Sequence, residues 1–491
     1  MLGNIYEKEY QANAIAIKYK RNTITYEQLD KTIKQYSNLL HQLGVTAGER
    51  VLLSCPNAPE FIYSYLGVVK NAGIIVPVNQ QLTLEEISYF IRDAEARFML
   101  IHPDVLQKLK HDQDSLQKLL GVKVIILDDE FHMAVAASSP EVVEKFVDEQ
   151  AVSTFLYTSG TTGKPKAAML THKNLLTNAE QCRLAFQGTA RDNYMCVLPM
   201  FHVFGFTTCV LNPLLSGATV TIIEKFQPKE VIESLLKDGV TVFMGVPSMY
   251  VLLLEACKKN ITFPGLRLAV SGGAALPVEV LRQAKDILKL PVVEGYGLTE
   301  ASPVVCFNPL DGVKKEGSIG LPIPFEACKI VDEYDRELGV GEVGELVAQG
   351  ENIMLGYYKQ EEATREALKH GWLHTGDLAK KDEDGYIYIV DRKKDLIITG
   401  GLNVYPREVE EVIYRYPKVK EAAVVGIGDK LRGEYVKAFI VLKDGETCTA
   451  KEMTRYLKEH LSVYKIPRAY EFIAELPKNS SGKILKRELI R

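Results

Sequence analysis

The sequence predicts an α/β protein with a large N-terminal domain, made of two layered α/β subdomains and a small β-barrel, followed by a small α+β domain. Short apolar runs alternate with amphipathic segments from residue 25 to residue 295, which predicts mostly parallel sheets covered by helices. Between residues 317 and 390 the runs are shorter and broken by glycines and Asp-rich turns, as in a small antiparallel barrel or sheet. The pattern changes again after residue 391, and 491 residues are enough for roughly three domain-sized units.

Two capping boxes predict helix starts in the first unit. Thr25 with Gln28 begins an amphipathic helix that Gly44 ends, and Thr83 with Glu86 begins another. The other predicted elements of this unit are a helix over 59–70 and strands over 51–55, 74–78, 97–101 and 151–156.

The later regions follow the same rules. The predicted strands of the second unit cover 219–223, 241–245, 266–270 and 292–295. The antiparallel region is predicted from the runs 341–347 and 384–390, and the last region from helices near 406–417 and 449–461 and strands at 422–427 and 434–442.

Composition and charge exclude several classes of protein. A hydrophobic content of 46% and a charged content of 25% are typical of soluble globular proteins. The formal net charge of −4 argues against nucleic acid as an obligate partner, because neutralising phosphates usually requires a basic face. The eight cysteines form no Cys-x-x-Cys pair, so neither a zinc site nor a disulfide framework is indicated. We therefore expect a cytoplasmic protein.

Two segments bear on export and membranes. Residues 1–10 lack a basic start followed by an apolar run, so no signal peptide is predicted. Residues 193–223 contain no Asp, Glu, Lys or Arg, but Pro199 and Pro213 argue against a spanning helix. We predict buried strand and pocket wall there, and any membrane contact would have to come from a surface patch.

The stretch from Tyr157 to Lys166 is predicted to bind a polyphosphate. It follows an apolar strand, and it combines two glycines, hydroxyl side chains and two lysines, which together supply backbone N–H groups, donors and positive charge. It is not the nucleoside-triphosphatase P-loop, because Pro165 stands where the second glycine of that motif belongs. The alternative is a flexible surface loop.

Three further stretches carry candidate chemistry. The segment 295–300 offers an aromatic ring for a base and the Glu300 carboxylate for Mg²⁺, although Tyr296 alone is more often a core residue. Asp377 follows a glycine turn and could accept bonds from a ribose diol, although a Gly-Asp pair is usually just a turn. Lys483 lies on a Ser/Gly loop, where a solvated basic tail is the alternative.

Taken together, the motifs resemble the adenylate-forming superfamily of acyl-CoA synthetases, firefly luciferase and peptide-synthetase adenylation domains. The resemblance covers nearly the whole chain, in order: 157–166, 198–202, 271–274, 295–300, 372–377, 391–392 with 400–406, and 481–483. An ordered set of this kind is far more specific than any single motif.

The resemblance implies binding of ATP, Mg²⁺ and CoA and assigns each residue a role. Thr158, Ser159, Gly160, Thr161 and Thr162 with Lys166 would hold the phosphates, Thr299 would approach the α-phosphate, and Glu300 would bind Mg²⁺. Gly273, Ala274 and Tyr296 would border the adenine, with Glu294, Gly295 and Gly297 in the same nucleotide-binding set, and Asp377 and Arg392 would hold the ribose. Lys483 would bridge the carboxylate and the α-phosphate.

The resemblance also implies a domain movement. Residues 1–393 would form the large AMP-binding domain and residues 394–491 a mobile C-terminal domain that turns about Lys394. The turn would withdraw Lys483 and bring Gly400, Gly401 and Leu402 to the site for the CoA step. The chain departs from many members of this superfamily at Ala167, where they have glycine. A methyl group is a small change in an extended strand, so we expect activity to survive.

The acid is predicted to be a medium- or long-chain fatty acid, because segment 295–303 resembles that of bacterial medium- and long-chain fatty acid CoA ligases. Peptide-synthetase relatives hold an amino group with an aspartate near the start of segment 199–206, and this chain has none there. The predicted apolar slot consists of Met200, Val203, Phe204, Phe206, Val246 and Val304, and His202 would gate it or be purely structural. An aryl acid CoA ligase, a ligase that uses a carrier protein, and a non-catalytic nucleotide or acyl-CoA binding protein remain alternatives.

Overall fold

The computed structural model describes residues 1–9, 11–141, 147–158, 165–257, 261–289, 292–429, 433–479 and 482–490. The α-helices are α1 (Tyr26–Gln42), α2 (Pro59–Lys70), α3 (Leu84–Ala94), α4 (Pro103–Leu109), α5 (Gln113–Leu120), α6 (Asp129–Ala137), α7 (His172–Ala185), α8 (Val203–Phe206), α9 (Asn212–Leu215), α10 (Pro228–Lys237), α11 (Pro247–Ala256), α12 (Val278–Ile287), α13 (Glu361–Ala367), α14 (Pro406–Tyr414) and α15 (Ala450–Lys458).

The strands are β1 (Ile15–Tyr19), β2 (Asn22–Thr25), β3 (Arg50–Ser54), β4 (Ile74–Pro77), β5 (Phe98–Ile101), β6 (Lys123–Ile126), β7 (Val152–Thr158), β8 (Lys166–Thr171), β9 (Asn193–Cys196), β10 (Thr219–Ile222), β11 (Val242–Gly245), β12 (Leu268–Ser271), β13 (Val292–Gly297), β14 (Val304–Phe307), β15 (Leu321–Pro322), β16 (Ala327–Val331), β17 (Gly344–Gln349), β18 (Gly356–Tyr357), β19 (Leu368–Lys369), β20 (Trp372–Lys381), β21 (Ile387–Arg392), β22 (Ile397–Thr399), β23 (Leu402–Val404), β24 (Val419–Asp429), β25 (Gly433–Leu442) and β26 (Ala469–Phe472).

Two mixed sheets form the large N-terminal part. The first has the order β18-β8-β7-β4-β3-β5-β6, and the second has the order β15-β14-β13-β12-β11-β9-β10-β1-β2. The strands from β7 to β6 in the first sheet and from β13 to β1 in the second run parallel to their neighbours, with antiparallel strands only at the edges. The predicted α/β class is confirmed.

The helix α2 lies inside the protein. Every residue from Phe61 to Lys70 is buried, which is expected of a helix that is apolar on nearly all sides. Apolar residues of both mixed sheets, such as Val51 and Val220, belong to one continuous hydrophobic cluster that also contains Phe61. The two sheets therefore share a core and form one rigid scaffold for the site.

Both predicted capping boxes are present. The Thr25 hydroxyl accepts a hydrogen bond from the Gln28 N–H, and the Gln28 side chain accepts one from the Thr25 N–H. Thr83 and Glu86 make the same pair of bonds at the start of α3. The sequence thus places both helix starts correctly because a capping box is a local interaction.

The prediction of buried strand for the uncharged segment 193–223 is correct only at its ends. Its middle is a continuous helical stretch in which a π-helical turn, Thr207–Leu211, joins α8 to α9. Pro213 lies where the π-helical turn passes into α9, and the Thr208 carbonyl accepts a hydrogen bond from Asn212 Nδ2 at 3.5 Å. Within the described ranges, no helix is long and apolar enough to cross a membrane.

Two smaller sheets follow. Strands β16, β17, β20 and β19 form an antiparallel sheet with β21 paired to β20, and the C-terminal sheet consists of β23, β22, β25 and β24 with β26 on β25. The C-terminal sheet and helices α14 and α15 enclose a separate hydrophobic cluster. The exposed Lys394 lies in the short turn Lys393–Asp395 that links β21 to β22, so the predicted hinge stands between two sheets. The division at residues 393 and 394 stays a prediction.

Candidate active site

The predicted site residues gather where parallel strands of the second mixed sheet end. Gly245 of β11 pairs with Ser271 of β12, which pairs with Glu294 of β13. The segments that follow these three strands begin side by side, because the carboxyl ends of parallel strands lie at the same edge of a sheet. Gly273, with φ of +77°, follows β12 and turns the chain sharply at this edge.

Tyr296, Asp377 and Arg392 form one connected group beside this edge. The Tyr296 hydroxyl donates a 2.6 Å hydrogen bond to Asp377 Oδ2, and Arg392 Nε lies 3.1 Å from Asp377 Oδ1. Asp377 and Arg392 face each other as paired residues of β20 and β21. Burial, and then the Asp377 carboxylate, raise the pKa of Tyr296 far above its usual value. A neutral hydroxyl and an ion pair thus stand next to the Gly295 to Gly297 backbone.

Lys166 and Glu300 meet across one tyrosine that sequence reasoning missed. Tyr357 donates a 2.7 Å hydrogen bond to Glu300 Oε1, and the Lys166 ammonium lies 5.4 Å from the centre of the Tyr357 ring. Tyr357 reaches this position because β18 pairs with β8, opposite Ala168. Glu300 lies with Thr299 in the short turn Thr299–Ala301.

The stems of the predicted phosphate loop are anchored on helix α3. Thr158 and Lys166 are paired residues of β7 and β8, while Ser159, Gly160, Thr161 and Thr162 lie outside the described residues. The Tyr157 hydroxyl donates to Asp93 Oδ2 at 2.7 Å on one stem. On the other stem the Tyr89 hydroxyl donates to the Pro165 carbonyl at 3.0 Å. No local pattern marks Asp93 or Tyr89 in the sequence.

Lys483 lies against the large domain. The Ser248 hydroxyl donates to the carbonyl of the adjacent Gly482 at 3.3 Å, and the Lys483 N–H donates to Asn479 Oδ1 at 2.9 Å. Burial and the Arg392 guanidinium lower the pKa of Lys483 to about 8, while the Asp377 carboxylate raises it. The lysine loop is therefore docked beside the Asp377–Arg392 pair.

His202 belongs to the same neighbourhood. It is half-buried and precedes α8, and its ring lies 5.8 Å from the Phe201 ring. Burial and the positive charge of Lys483 lower the pKa of His202 to about 4. The imidazole is therefore neutral at pH 7 and can donate or accept a hydrogen bond, but adds no charge.

A narrow apolar cavity of about 50 Å³ lies behind Tyr296. Its lining residues are Phe186, Phe204, Val270, Gly272, Gly273, Gly295, Tyr296, Gly297, Pro303, Val304 and Phe307. The rings of Phe186 and Phe307 meet at 4.8 Å between centroids. A Cβ at Gly272 would lie 3.0 Å from the Phe204 ring, so the glycine gives this ring room.

Only Phe204 and Val304 of the six predicted slot residues line this cavity. Phe206 instead packs on Tyr65, with ring centroids 4.1 Å apart. Residues two positions apart on a helix face in different directions, which explains why Phe204 and Phe206 separate. Met200 and Val203 are buried, and the Met200 N–H donates to the buried Asn57 side chain at 2.9 Å. Val246 stands between Gly273 and Gly482.

Four other predicted residues do not line this cavity. Glu294 is buried, its Oε1 accepts from the Leu276 N–H at 3.1 Å, and burial raises its pKa to about 7. Gly400 and Gly401, both with positive φ, form the turn of the β22–β23 hairpin, and a Cβ on either would meet nothing within 4 Å. Leu402 beside them is 49% exposed. The hairpin is thus open to solvent in this arrangement.

Family models match most of the chain. The AMP-binding enzyme model matches residues 7–358, and the AMP-binding enzyme C-terminal domain model matches residues 408–483. The Long-chain-fatty-acid--CoA ligase of Bacillus subtilis is 35% identical, over 97% of this chain and 91% of that protein. The Feruloyl-CoA synthase of an Amycolatopsis species is 34% identical, over 98% and 96%. The structure of ATP-bound MatB from Rhodopseudomonas palustris is 31% identical, with a TM-score of 0.94 over 100% of this chain and 98% of that one.

Proposed function

The chain belongs to the AMP-binding enzyme family, and we propose that this adenylate-forming acyl-CoA ligase activates a medium- or long-chain fatty acid. The carboxylate would attack the α-phosphorus of ATP, pyrophosphate would leave, and the acyl-AMP formed would then be attacked by the thiol of CoA with release of AMP. The fatty acid is supported by the absence of any Asp, Glu, Lys or Arg between residues 193 and 223, and by the similarity to the Long-chain-fatty-acid--CoA ligase of Bacillus subtilis.

The observation that carries this proposal is the docking of Lys483. Its loop contacts the wall of the large domain at Ser248, its ammonium lowers the pKa of His202, and the Arg392 guanidinium lowers the pKa of Lys483. Bringing a carboxylate to a phosphate joins two anions, so the reaction needs charge neutralisation and alignment. A lysine supplied from a separate domain meets both needs as a point charge.

The nucleotide would be held by the groups around Tyr296. Asp377 and Arg392 would bind the ribose, and Gly273, Ala274, Tyr296 and the adjacent backbone would border the adenine. Thr158, Thr299 and Lys166 would contact the phosphates. The single carboxylate of Glu300 fits Mg²⁺, which in nucleotide sites takes one or two carboxylates and completes its coordination with water and phosphate oxygens. Bound there, Mg²⁺ would neutralise phosphate charge.

The CoA step would use another arrangement of the C-terminal domain. In the structure Gly400 and Gly401 are exposed and Lys483 is docked, which suits acyl-AMP formation. A rotation of the C-terminal domain about Lys394 would withdraw Lys483 and bring Gly400 and Gly401 to the active site. The glycines would then allow the narrow pantetheine arm to approach the backbone closely.

An aryl acid is the second candidate. The cavity of about 50 Å³ holds only a few heavy atoms, and aromatic rings from Phe186, Phe204 and Phe307 line it. A planar ring would stack against such walls with little rearrangement. A long alkyl chain would require Phe204 or Phe307 to move, so the cavity favours the aryl acid unless a ring opens.

The test is pyrophosphate release with ATP and Mg²⁺, measured with saturated acids from C4 to C18 and with benzoate and coumarate, with and without CoA. We expect release to depend on the acid, to peak at C8 or longer and to yield thioester with CoA. Lys483→Ala should abolish release, and Lys458→Ala, at an exposed position of α15 in the same domain, is the control. A peak with the aryl acids would replace the proposed substrate, and acid-independent ATP binding without release would indicate a binding protein.

A further inference from the structure

We propose that Ser248 is a positioning residue that sets Lys483 for acyl-AMP formation by holding the Gly482 carbonyl. This inference rests on the proposed function of Lys483. It assigns to Ser248 a contribution to the first chemical step and none to the CoA step, because the contact exists only while the lysine loop is docked.

The contact depends on a close approach of the Gly482 backbone to the side chains of Ser248 and Val246. The Ser248 hydroxyl donates to the Gly482 carbonyl at 3.3 Å. A Cβ on Gly482 would lie 2.8 Å from Ser248 Oγ and 3.0 Å from Val246 Cγ2, and Gly482 has φ of +83°. Any side chain there would be strained and would push the loop outwards. The glycine thus lets the wall of the acid site touch the residue that precedes Lys483.

Ser248 stands on a rigid support. It lies in the first turn of α11, which follows the interior strand β11 after the single residue Val246. The next residues of α11, Met249 and Tyr250, are buried, and the Tyr250 hydroxyl donates to the Val270 carbonyl at 2.8 Å. A hydroxyl held by such a packed helix can fix the position of a mobile loop, as effective positioning in catalysis requires.

The same helix holds the C-terminal domain at a second point. Glu255 lies 2.8 Å from Lys420 across the interface. Ser248 and Glu255 are seven residues apart, or about 10 Å along a helix and on the same face. Their partners differ, because Gly482 adjoins the catalytic lysine whereas Lys420 is a partly exposed residue of strand β24. The Glu255–Lys420 ion pair is therefore a matched control, because it contributes to docking of the C-terminal domain through β24 and not through the loop that carries Lys483.

The test separates the two half-reactions. With decanoate, or the best acid of the series above, acyl-AMP formation is measured by pyrophosphate release without CoA, and the second step by thioester formation from supplied acyl-AMP and CoA. Ser248→Ala should slow the first step about 3- to 10-fold, as expected for one hydrogen bond, and leave the second within about 2-fold. Ser248→Thr, which keeps the hydroxyl, should restore the first step.

The controls make the result decisive. Glu255→Gln should change both steps by less than about 2-fold, as for an exposed ion pair. Equal slowing of both steps by Ser248→Ala, no slowing, or a higher KM for the acid at unchanged kcat would overturn the inference. Lys483→Ala separates the two hypotheses. If it leaves pyrophosphate release intact, the catalytic role proposed for Lys483 fails. If Lys483→Ala abolishes release but Ser248→Ala has no effect, the positioning role of Ser248 alone fails.

Discussion

The Tyr357 hydroxyl donates a 2.7 Å hydrogen bond to Oε1 of Glu300, so a tyrosine from a distant strand orients the carboxylate proposed to bind Mg²⁺. Burial, and then the Glu300 charge, keep the hydroxyl neutral by raising the pKa of Tyr357. This bond fixes the orientation of the carboxylate through Oε1. Residues that hydrogen-bond a metal ligand commonly orient it in this way.

Removing this hydroxyl should weaken the use of Mg²⁺. We expect Tyr357→Phe to raise the Mg²⁺ concentration needed for half-maximal acyl-AMP formation about 10-fold, since a hydrogen bond to a charged group contributes about 1.5–3 kcal/mol. The ring near Lys166 is retained. Tyr358→Phe is the matched control, because that hydroxyl bonds the exposed Glu95 at 2.8 Å. Equal Mg²⁺ titrations of the two variants would contradict the assigned role.

The charge of Lys483 should set the alkaline limit of the first step. Its pKa is lowered to about 8, so the free enzyme loses this positive charge as pH rises through that value. Because kcat/KM reports ionisations of the free enzyme, kcat/KM for acyl-AMP formation should fall about 10-fold per pH unit above pH 8 to 9. Lys483→Arg, with an arginine that stays charged, should be slower at pH 7 but lack this fall. If Lys483→Arg shows the same fall of kcat/KM at alkaline pH, that fall is caused by the ionisation of another group.

The contact between Phe186 and Phe307 should limit the length of the acid. We expect Phe186→Leu to shift the best acid towards longer chains, with about a 4-fold gain in kcat/KM for each additional methylene accommodated, since burying a methylene contributes about 0.8 kcal/mol. Phe206→Leu should leave the chain-length profile unchanged, because Phe206 packs on Tyr65 away from the cavity. If Phe206→Leu shifts the chain-length profile and Phe186→Leu does not, Phe206 and not Phe186 lines the acyl pocket.

Local signals explain what the sequence predicted well. The Thr25 and Thr83 capping boxes fix helix starts through bonds between residues three apart. The short apolar runs predicted the parallel strands correctly, because a strand that is buried on both faces needs apolar residues throughout its own length. The separate C-terminal region also follows from a change in local pattern.

The contacts that the sequence did not predict join distant parts of the chain. Tyr357 reaches Glu300 only through the pairing of β18 with β8, and Ser248 reaches Gly482 only through domain docking. The slot was assigned from neighbours in sequence, which the helix at 203–215 divides between two faces. Spacing alone cannot reveal that division before the segment is known to be helical.

Phe325 carries backbone strain that can be relieved. It has φ of +66° in the turn closed by the bond from the Glu326 N–H to the Ile323 carbonyl, and it is 79% exposed. Glycine adopts this conformation freely, whereas other residues pay about 1–2 kcal/mol. We expect Phe325→Gly to raise the thermal unfolding midpoint, and Phe325→Ala, which keeps the strain, to leave it unchanged. A lower midpoint for the glycine variant would show that the exposed ring contributes packing.

Glu326 should make the stability of the protein depend on pH. Within the described residues, both its carboxyl oxygens are buried without a hydrogen-bond partner, and so are Asn352 Oδ1 and Gln181 Nε2. Burial raises the pKa of Glu326 to about 8 from 4.5, against a smaller lowering by Asn352 and Gln181. The folded protein therefore keeps the carboxyl neutral at pH values where the unfolded chain would ionise it.

The sign of this dependence follows from linkage. The contribution of Glu326 to stability is fully present below pH 4.5, where both states are neutral, and is lost as pH rises towards 8, because only the unfolded state releases its proton. Glu326→Gln removes that loss, so its unfolding midpoint should move upwards relative to the wild type between pH 5 and pH 8 and then level off. Glu333→Gln, at an exposed position of the same sheet region, should show no such trend. A constant difference between Glu326→Gln and the wild type across this range would mean that the carboxyl is already ionised in the folded protein, held by a partner such as a buried water or cation.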